Sequence, residues 1–332
     1  MQLNTLKIIL FTTLFTVNVF SQKYELGEVT IDELKEKVHP IDSSAVAAVL
    51  FKKGETRFNL DTEGNWTILT EIKYKIKIYK KEGLDYANKV VAYYVGGFRN
   101  ETLNFKNEVT YNLVNGKVEK TKLKSDGEFK EDITEDYKSK KITMPQVKEG
   151  SIVEYSYTLK SPYINTFNDW YFQGDIPYNH VEYDVYLPEY FKYRSVITGY
   201  EKVNIQDRAI TTGSFQEQKY TYAIDNVPSL KEESNIINID NYTSILKYEL
   251  ASINYPNQPI KNIAITWDDV VKSIYESDYF GSELKSKSYF EDDLNTIIGD
   301  LKTNNEKIAA IFSFVKNRMT WNQKYGVYTM ME

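Results

Sequence analysis

The sequence predicts a mainly β protein: a two-sheet antiparallel β-sandwich followed by a short three-helix C-terminal segment. Three observations lead there. From Ser43 to about Asn254 apolar residues recur at every second position, turn chemistry separates the runs, and after about Ile263 the apolar period changes to 3.6. Clean alternation of this kind fits half-buried antiparallel strands better than a parallel sheet covered on both faces.

The first element is an address rather than a fold. Lys7 is the only charge in the first 22 residues, and it precedes the apolar run Ile8 to Phe20. That run is shorter than the ~20 residues a spanning helix needs, and it has the length of a signal-peptide core. Val19 and Ser21 occupy the −3 and −1 positions of a cleavage before Gln22. Residues 1–21 therefore read as a signal peptide. The mature chain is expected to be exported to the periplasm or cell envelope, or secreted, with no transmembrane segment.

The strands follow. Ile72, Tyr74, Ile76 and Ile78 alternate with Glu71, Lys73, Lys75 and Lys77, giving one apolar and one charged face. Val153, Tyr155, Tyr157 and Leu159 alternate with Glu154, Ser156 and Thr158. Val181, Tyr183, Val185 and Leu187 repeat the pattern, as do Tyr220, Tyr222 and Ile224. Asn115-Gly116 joins two such runs, the strongest short hairpin signal. Glu63-Gly64-Asn65, Asp126-Gly127 and Lys148-Glu149-Gly150 punctuate others, and Pro145, Pro162, Pro177, Pro188 and Pro228 fall at run boundaries. So many strands need two packed sheets. The 28 tyrosines suit that arrangement, with rings in the core and hydroxyls at its rim.

Three amphipathic helices close the chain. Thr266 with Asp269 resembles a capping box ahead of Val270, Val271 and Ile274. Ser288 with Glu291 repeats that signal before Leu294, Ile297, Ile298 and Leu301. A third helix, starting near Asn304, carries Ile308, Ile311, Phe312, Val315 and Met319 on one face. The expected division is 1–21 signal peptide, 22–262 sandwich and 263–332 helical segment.

Composition removes several chemistries. The 332 residues include no cysteine and two histidines, His39 and His180. Disulfides, zinc–thiolate sites and a thiol nucleophile are excluded within this chain, and little remains for a histidine metal site or a triad. Forty-one basic against 47 acidic residues give a net charge of −6 with no basic block, which disfavours nucleic acid. No phosphate-binding or dinucleotide glycine motif is present, so no cofactor is expected.

The remaining candidates each carry a bland alternative. His180, at a strand entry with Glu182 two residues on, has the neighbours of a general base, but an exposed or rim histidine in a cross-strand pair is the reading preferred for it. His39 lies in a polar lead-in before Pro40. Asp169 and Asp175 bracket Trp170, Tyr171, Phe172 and Gln173. Two acids with an aromatic shelf suit sugar binding or glycoside chemistry; aromatics packed between sheets, with acids capping turns, suit structure alone. Asp61-Thr-Glu-Gly-Asn65 faintly resembles a calcium loop but lacks the closing Glu, and a hairpin turn explains it.

The run Met144-Pro-Gln-Val-Lys-Glu-Gly-Ser-Ile-Val-Glu-Tyr-Ser-Tyr157, then Asp169-Trp-Tyr-Phe-Gln-Gly-Asp-Ile-Pro177, resembles the family catalogued as domain of unknown function 3857. Val227-Pro-Ser-Leu-Lys-Glu-Glu233 and Tyr248-Glu-Leu250 match its later part. Glu306 to Lys316, with Trp321-Asn322 and Tyr325-Gly326, is similar to the first helix of the transglutaminase-like domain that usually follows. The resemblance implies an exported Bacteroidota protein whose first domain is a β-sandwich without assigned activity. It also implies that a catalytic Cys, His and Asp belong downstream of the closing stretch, so no residue here inherits those roles. The expected form is a chain truncated at the start of the transglutaminase-like domain. Three functional classes stay open: a non-catalytic binding or scaffolding module beside a transglutaminase-like domain, a fragment of a transglutaminase or cysteine-peptidase-like enzyme, and a glycan-binding module. The partners the sequence leaves open are a peptide or glycan ligand or the downstream domain.

Overall fold

The structure is a computed structural model that describes residues 24–320, except 97, 213, 214, 264, 265, 279 and 287. The expected signal peptide, Trp321-Asn322 and Tyr325-Gly326 lie outside the described residues. The chain divides into two compact units, Met1–Ile263 and Ala264–Glu332.

The first unit is built from strands in chain order: β1 (Ala47–Leu60), β2 (Trp66–Ile78), β3 (Lys89–Tyr94), β4 (Thr102–Val114), β5 (Lys117–Lys122), β6 (Glu128–Asp132), β7 (Tyr137–Ile142) and β8 (Ile152–Ser161). They continue as β9 (Trp170–Tyr171), β10 (Tyr178–Pro188), β11 (Phe191–Ile197), β12 (Asn204–Thr212), β13 (Phe215–Val227), β14 (Ile245–Ile253) and β15 (Lys261–Asn262). Eight of them form one sheet in the order β12-β13-β10-β1-β2-β8-β4-β5. Its edge strands are β12 and β5, the latter reading Lys-Val-Glu-Lys-Thr-Lys.

The opposing layer is split. The three-stranded sheet β3-β7-β6 and the four-stranded sheet of β11, β14, β15 and β9 lie side by side on one face of the large sheet. One core gathers Tyr74, Ile76, Tyr155, Leu103 and Ile142 under the smaller of these, and a second gathers Phe58, Phe172, Val181, Tyr222 and Leu250 under the other. Ile72 and Tyr178 touch both cores, which marks the seam between them. The sandwich expected from period-two alternation is present, with two small sheets in place of one.

Pairing is antiparallel except between β1 and β10, which run parallel with Gly54 opposite Tyr183. A parallel neighbour needs a long crossover, and the whole β2-to-β9 excursion provides it. Asn115 and Gly116, both at positive φ, make the β4–β5 hairpin. Asp61 Oδ1 accepts the backbone N–H groups of Glu63 and Asn65, and Gly64 sits at φ +80°, so the segment resembling a calcium loop is the β1–β2 turn.

The charged face of β2 is not solvated as its alternation suggests. Lys77 is fully buried and Lys75 nearly so, because residues 27–36 and a short helix, α1 (Ile31–Lys35), cover that face. Lys77 Nζ donates to the carbonyls of Leu34 (3.0 Å) and Gly150 (2.8 Å). Lys75 Nζ donates to Glu28 O (2.8 Å) and pairs with Glu33 (2.6 Å). Glu33 also closes the capping box of α1 with Thr30, so one carboxylate holds both the helix start and the sheet. Opposite them, Glu154 accepts from Gly27 N–H and from the Tyr111 hydroxyl, and its burial raises its pKa.

The second unit holds α2 (Trp267–Tyr275), α3 (Glu291–Ile298) and α4 (Asn304–Arg318). Thr266 and Asp269 form the expected capping box, and Thr303 with Glu306 forms one on α4. Ser288 does not cap α3. That helix begins at Glu291 behind Phe290, where Glu291, Asp292 and Asp293 favour the positive end of the helix dipole. Arg318 pairs with Asp293 between α4 and α3, while Ile308, Phe312, Val315 and Met319 stay exposed.

Two predictions come from this packing. A Cβ on Gly54 would lie 2.5 Å from the Trp170 ring, so Gly54→Ala is expected to lower stability by about 1–3 kcal/mol in denaturant unfolding. An unchanged midpoint would mean the indole is not held against β1. The second concerns pH. Burial pulls the Lys77 ammonium from 10.5 down to about 8, against the upward pull of Glu36 and Glu33. Between those values the unfolded chain holds a proton that the folded chain releases, so this group makes stability rise with pH across the window. Lys77→Met is expected to remove that rise, read as a stability difference from the parent chain that widens between pH 7.5 and 9.5.

Candidate functional site

The site begins with an irregularity in β1. Ala47 and Val49 face the inner core, but the β1–β2 register shifts between Val49 and Phe51. Past that bulge the parity reverses, and Lys52, Gly54, Thr56 and Phe58 point inward. A lysine thereby lands at the seam of the two cores.

Lys52 is 6% exposed, and burial first, then the nearby Lys89, pushes its pKa well below the usual ammonium value. Its Nζ donates to the Tyr171 carbonyl at 2.6 Å and sits 3.8 Å from the centre of the Trp170 ring. A desolvated cation on an indole face is worth about 2 kcal/mol. The indole stacks on Tyr183 at 4.4 Å and 6°, and it lies flat only because Gly54 carries no side chain beneath it.

Around this stack lies a cavity of about 340 Å³, within the range of small-molecule sites. Ile68, Thr70, Ile72 and Tyr74 of β2, Tyr157 and Leu159 of β8, and Tyr178 and Tyr183 of β10 form its floor. Lys89 and Val91 of β3 form one wall, and the segment Thr166 to Tyr171 forms the other. Thr166, Asn168, Asp169 and Tyr171 are the exposed members of that segment and mark the mouth. Lys89 Nζ is 5.4 Å from the Tyr74 ring, and burial lowers its pKa also. The Trp170 indole N–H is buried without a hydrogen-bond partner.

The aromatic segment singled out in the sequence divides on this cavity. Trp170 lines it from inside, while Asp169 and Tyr171 stand at its mouth, Asp169 paired with Lys247 at 3.2 Å. Phe172 is fully buried in the second core, and Asp175 accepts from the Tyr86 hydroxyl at 2.6 Å, away from the cavity. An exposed shelf of three rings does not form. Lys52 and Lys89 were not legible as site residues, since nothing in their local sequence reports that the fold turns them inward.

The two histidines are held structurally. His180 is stacked on Tyr24 at 3.7 Å, its Nδ1 is 2.6 Å from Asp225, and its Nε2 is 3.5 Å from Glu182. Burial pulls its pKa down, but Glu182 and Asp225 outweigh that and leave it above the ordinary value. No serine or threonine hydroxyl among the described residues bonds to either ring nitrogen. His39 is buried, with Nδ1 accepting from Asp42 N–H and Nε2 against Asn179 Oδ1 at 2.8 Å. Among the described residues no three acidic or histidine side chains converge as a metal site requires. No helix among them is long and apolar enough to cross a membrane.

Among solved structures, the chain is similar to a Parabacteroides distasonis protein described as a "putative protease", with a TM-score of 0.58 at 10% identity. The likeness covers 83% of this chain and 51% of that one, so this chain spans about half its length. A Legionella pneumophila protein described as a "putative nutrient binding protein" matches at a TM-score of 0.25 and 10% identity, over 84% of this chain and 83% of that one. No curated protein matches the sequence. Residues 67–231, from β2 to just past β13, match the family described as a domain of unknown function with a solved structure (DUF3857), and the chain belongs to that family.

Proposed function

We propose that this chain is an exported, non-catalytic β-sandwich binding module of the bacterial envelope, working beside a transglutaminase-like domain, with its ligand in the seam cavity. The carrying observation is the cavity itself: a space between two cores lined by a sparingly bonded lysine and by the Trp170 ring. A core that served packing alone would fill such a gap with apolar side chains. The run Ile8 to Phe20 supports export, and the resemblance of Glu306 to Lys316 supports the neighbouring domain. The absence of cysteine supports a non-catalytic role for this chain.

One observation favours a second reading. The likeness to the Parabacteroides protein described as a "putative protease", of which this chain spans about half, suits a binding half of a larger transglutaminase or cysteine-peptidase-like enzyme. In that arrangement the nucleophile is carried by another segment. A glycan-binding reading loses its exposed shelf, because Trp170 and Phe172 are turned inward.

The test is a thermal-shift screen of the purified chain against short peptides, oligosaccharides and small organic acids. One class is expected to raise the melting temperature of the parent chain and leave Val91→Trp, whose indole fills the cavity, unmoved. A screen without shifts, or with equal shifts in both proteins, overturns the cavity as the site. Dose-dependent peptide hydrolysis by the parent chain overturns the non-catalytic part.

A further inference from the structure

The polar groups facing the cavity are unequal in kind. Among the described residues, Lys52 uses one of its three N–H groups on the Tyr171 carbonyl and Lys89 meets the Tyr74 ring, while the tyrosine and threonine hydroxyls of the floor are uncharged. Among the described residues neither ammonium has a carboxylate at ion-pair distance, although most other buried or half-buried lysines here do or bond two carbonyls, as Lys75, Lys77 and Lys219 show. Asp169 at the mouth is already taken by Lys247. Two cations thus share a largely aromatic chamber in which, among the described residues, no free carboxylate pairs with them. Leaving such groups unpaired is costly, and a bound anion is the group that would relieve it.

We propose that the cavity takes a small carboxylic acid with an apolar body: its carboxylate received by Lys52 and Lys89, its hydrocarbon part lying against Tyr157, Leu159 and Ile72. This rests on the cavity being the binding site, as proposed above. The apolar floor argues for a hydrocarbon body, and the chamber volume limits the ligand to about the size of one or two fused rings or a medium acyl chain. A multiply charged phosphate is disfavoured, because the Asp169 carboxylate stands at the mouth and, beyond Lys52 and Lys89, the lining offers only uncharged donors. Burial keeps both ammonium groups reluctant to hold their protons, and an entering carboxylate restores the counter-charge they lack.

The experiment compares 2-naphthoate with the uncharged 2-naphthamide by calorimetric titration of the full chain. Naphthoate is expected to bind at least about tenfold more tightly, the range of a charge-assisted hydrogen bond. Lys52→Met and Lys89→Met are each expected to bring its affinity down to that of the amide. Lys89 lies at the wall and is only half-buried, so Lys89→Met keeps the test decisive if Lys52→Met does not fold. If both probes bind equally to the parent chain and both are excluded by Val91→Trp, the site stands and the anionic preference falls. Binding by neither probe, or naphthoate binding that survives Lys89→Met and Val91→Trp, overturns the proposal, and the thermal-shift screen then decides the site separately.

Discussion

The central strands of the large sheet are covered on both faces, and that single constraint organises the rest. An antiparallel sheet ordinarily leaves one face to water, where lysines and glutamates need no partner. Here the segment from Gly27 to Glu36 lies across that face, so Lys75, Lys77 and Glu154 must be satisfied from within the protein. The backbone carbonyls of Leu34, Glu28 and Gly150, along with Glu33, accept from the two lysines, and the Gly27 N–H and the Tyr111 hydroxyl donate to Glu154. The lead-in segment is therefore part of the fold rather than a tail before it. Its polar anchors fix its register on the sheet in a way that apolar packing of Leu34 alone would not.

The inner face follows a different logic. A bulge of one residue in β1 reverses which side chains face the core, and a lysine arrives where its neighbours are Trp170, Tyr74 and Tyr183. The split opposing layer leaves a seam at that point, and the Trp170 segment only partly closes it. Bulge, glycine and indole act together: Gly54 lets the ring approach, and the ring gives the ammonium a face to rest on. The cavity is the residue of that arrangement.

Much of the fold was legible because period two needs only local information. β2, β8, β10 and β13 fall where alternation placed them, Asn115-Gly116 makes its hairpin, and Thr266 caps its helix. What alternation cannot report is what covers each face. Lys75 and Lys77 read as solvated because their cover comes from residues some forty positions earlier in the chain. Lys52 was hidden for a related reason: a bulge has no sequence signature in Leu50-Phe51-Lys52-Lys53, so its parity could not be read. The segment from Asp169 to Asp175 stands out in the sequence as a block, but the fold divides it: Trp170 lines the cavity from inside while Phe172 enters the core. Its acids, seen as a facing pair, point to different partners, Lys247 and Tyr86.

The charged edge strand β5 has a consequence for how the protein can meet other chains. Lys117, Glu119, Lys120 and Lys122 line the last strand of the large sheet, and every lysine side chain there resists the close approach of a further backbone. Extension of the sheet by a visiting peptide, the cheapest form of β-mediated recognition and also the commonest route to fibrous self-association, is discouraged at that end. In a chain with no cysteine to lock its architecture, such a border keeps the β5 end of the eight-stranded sheet from templating its own polymerisation.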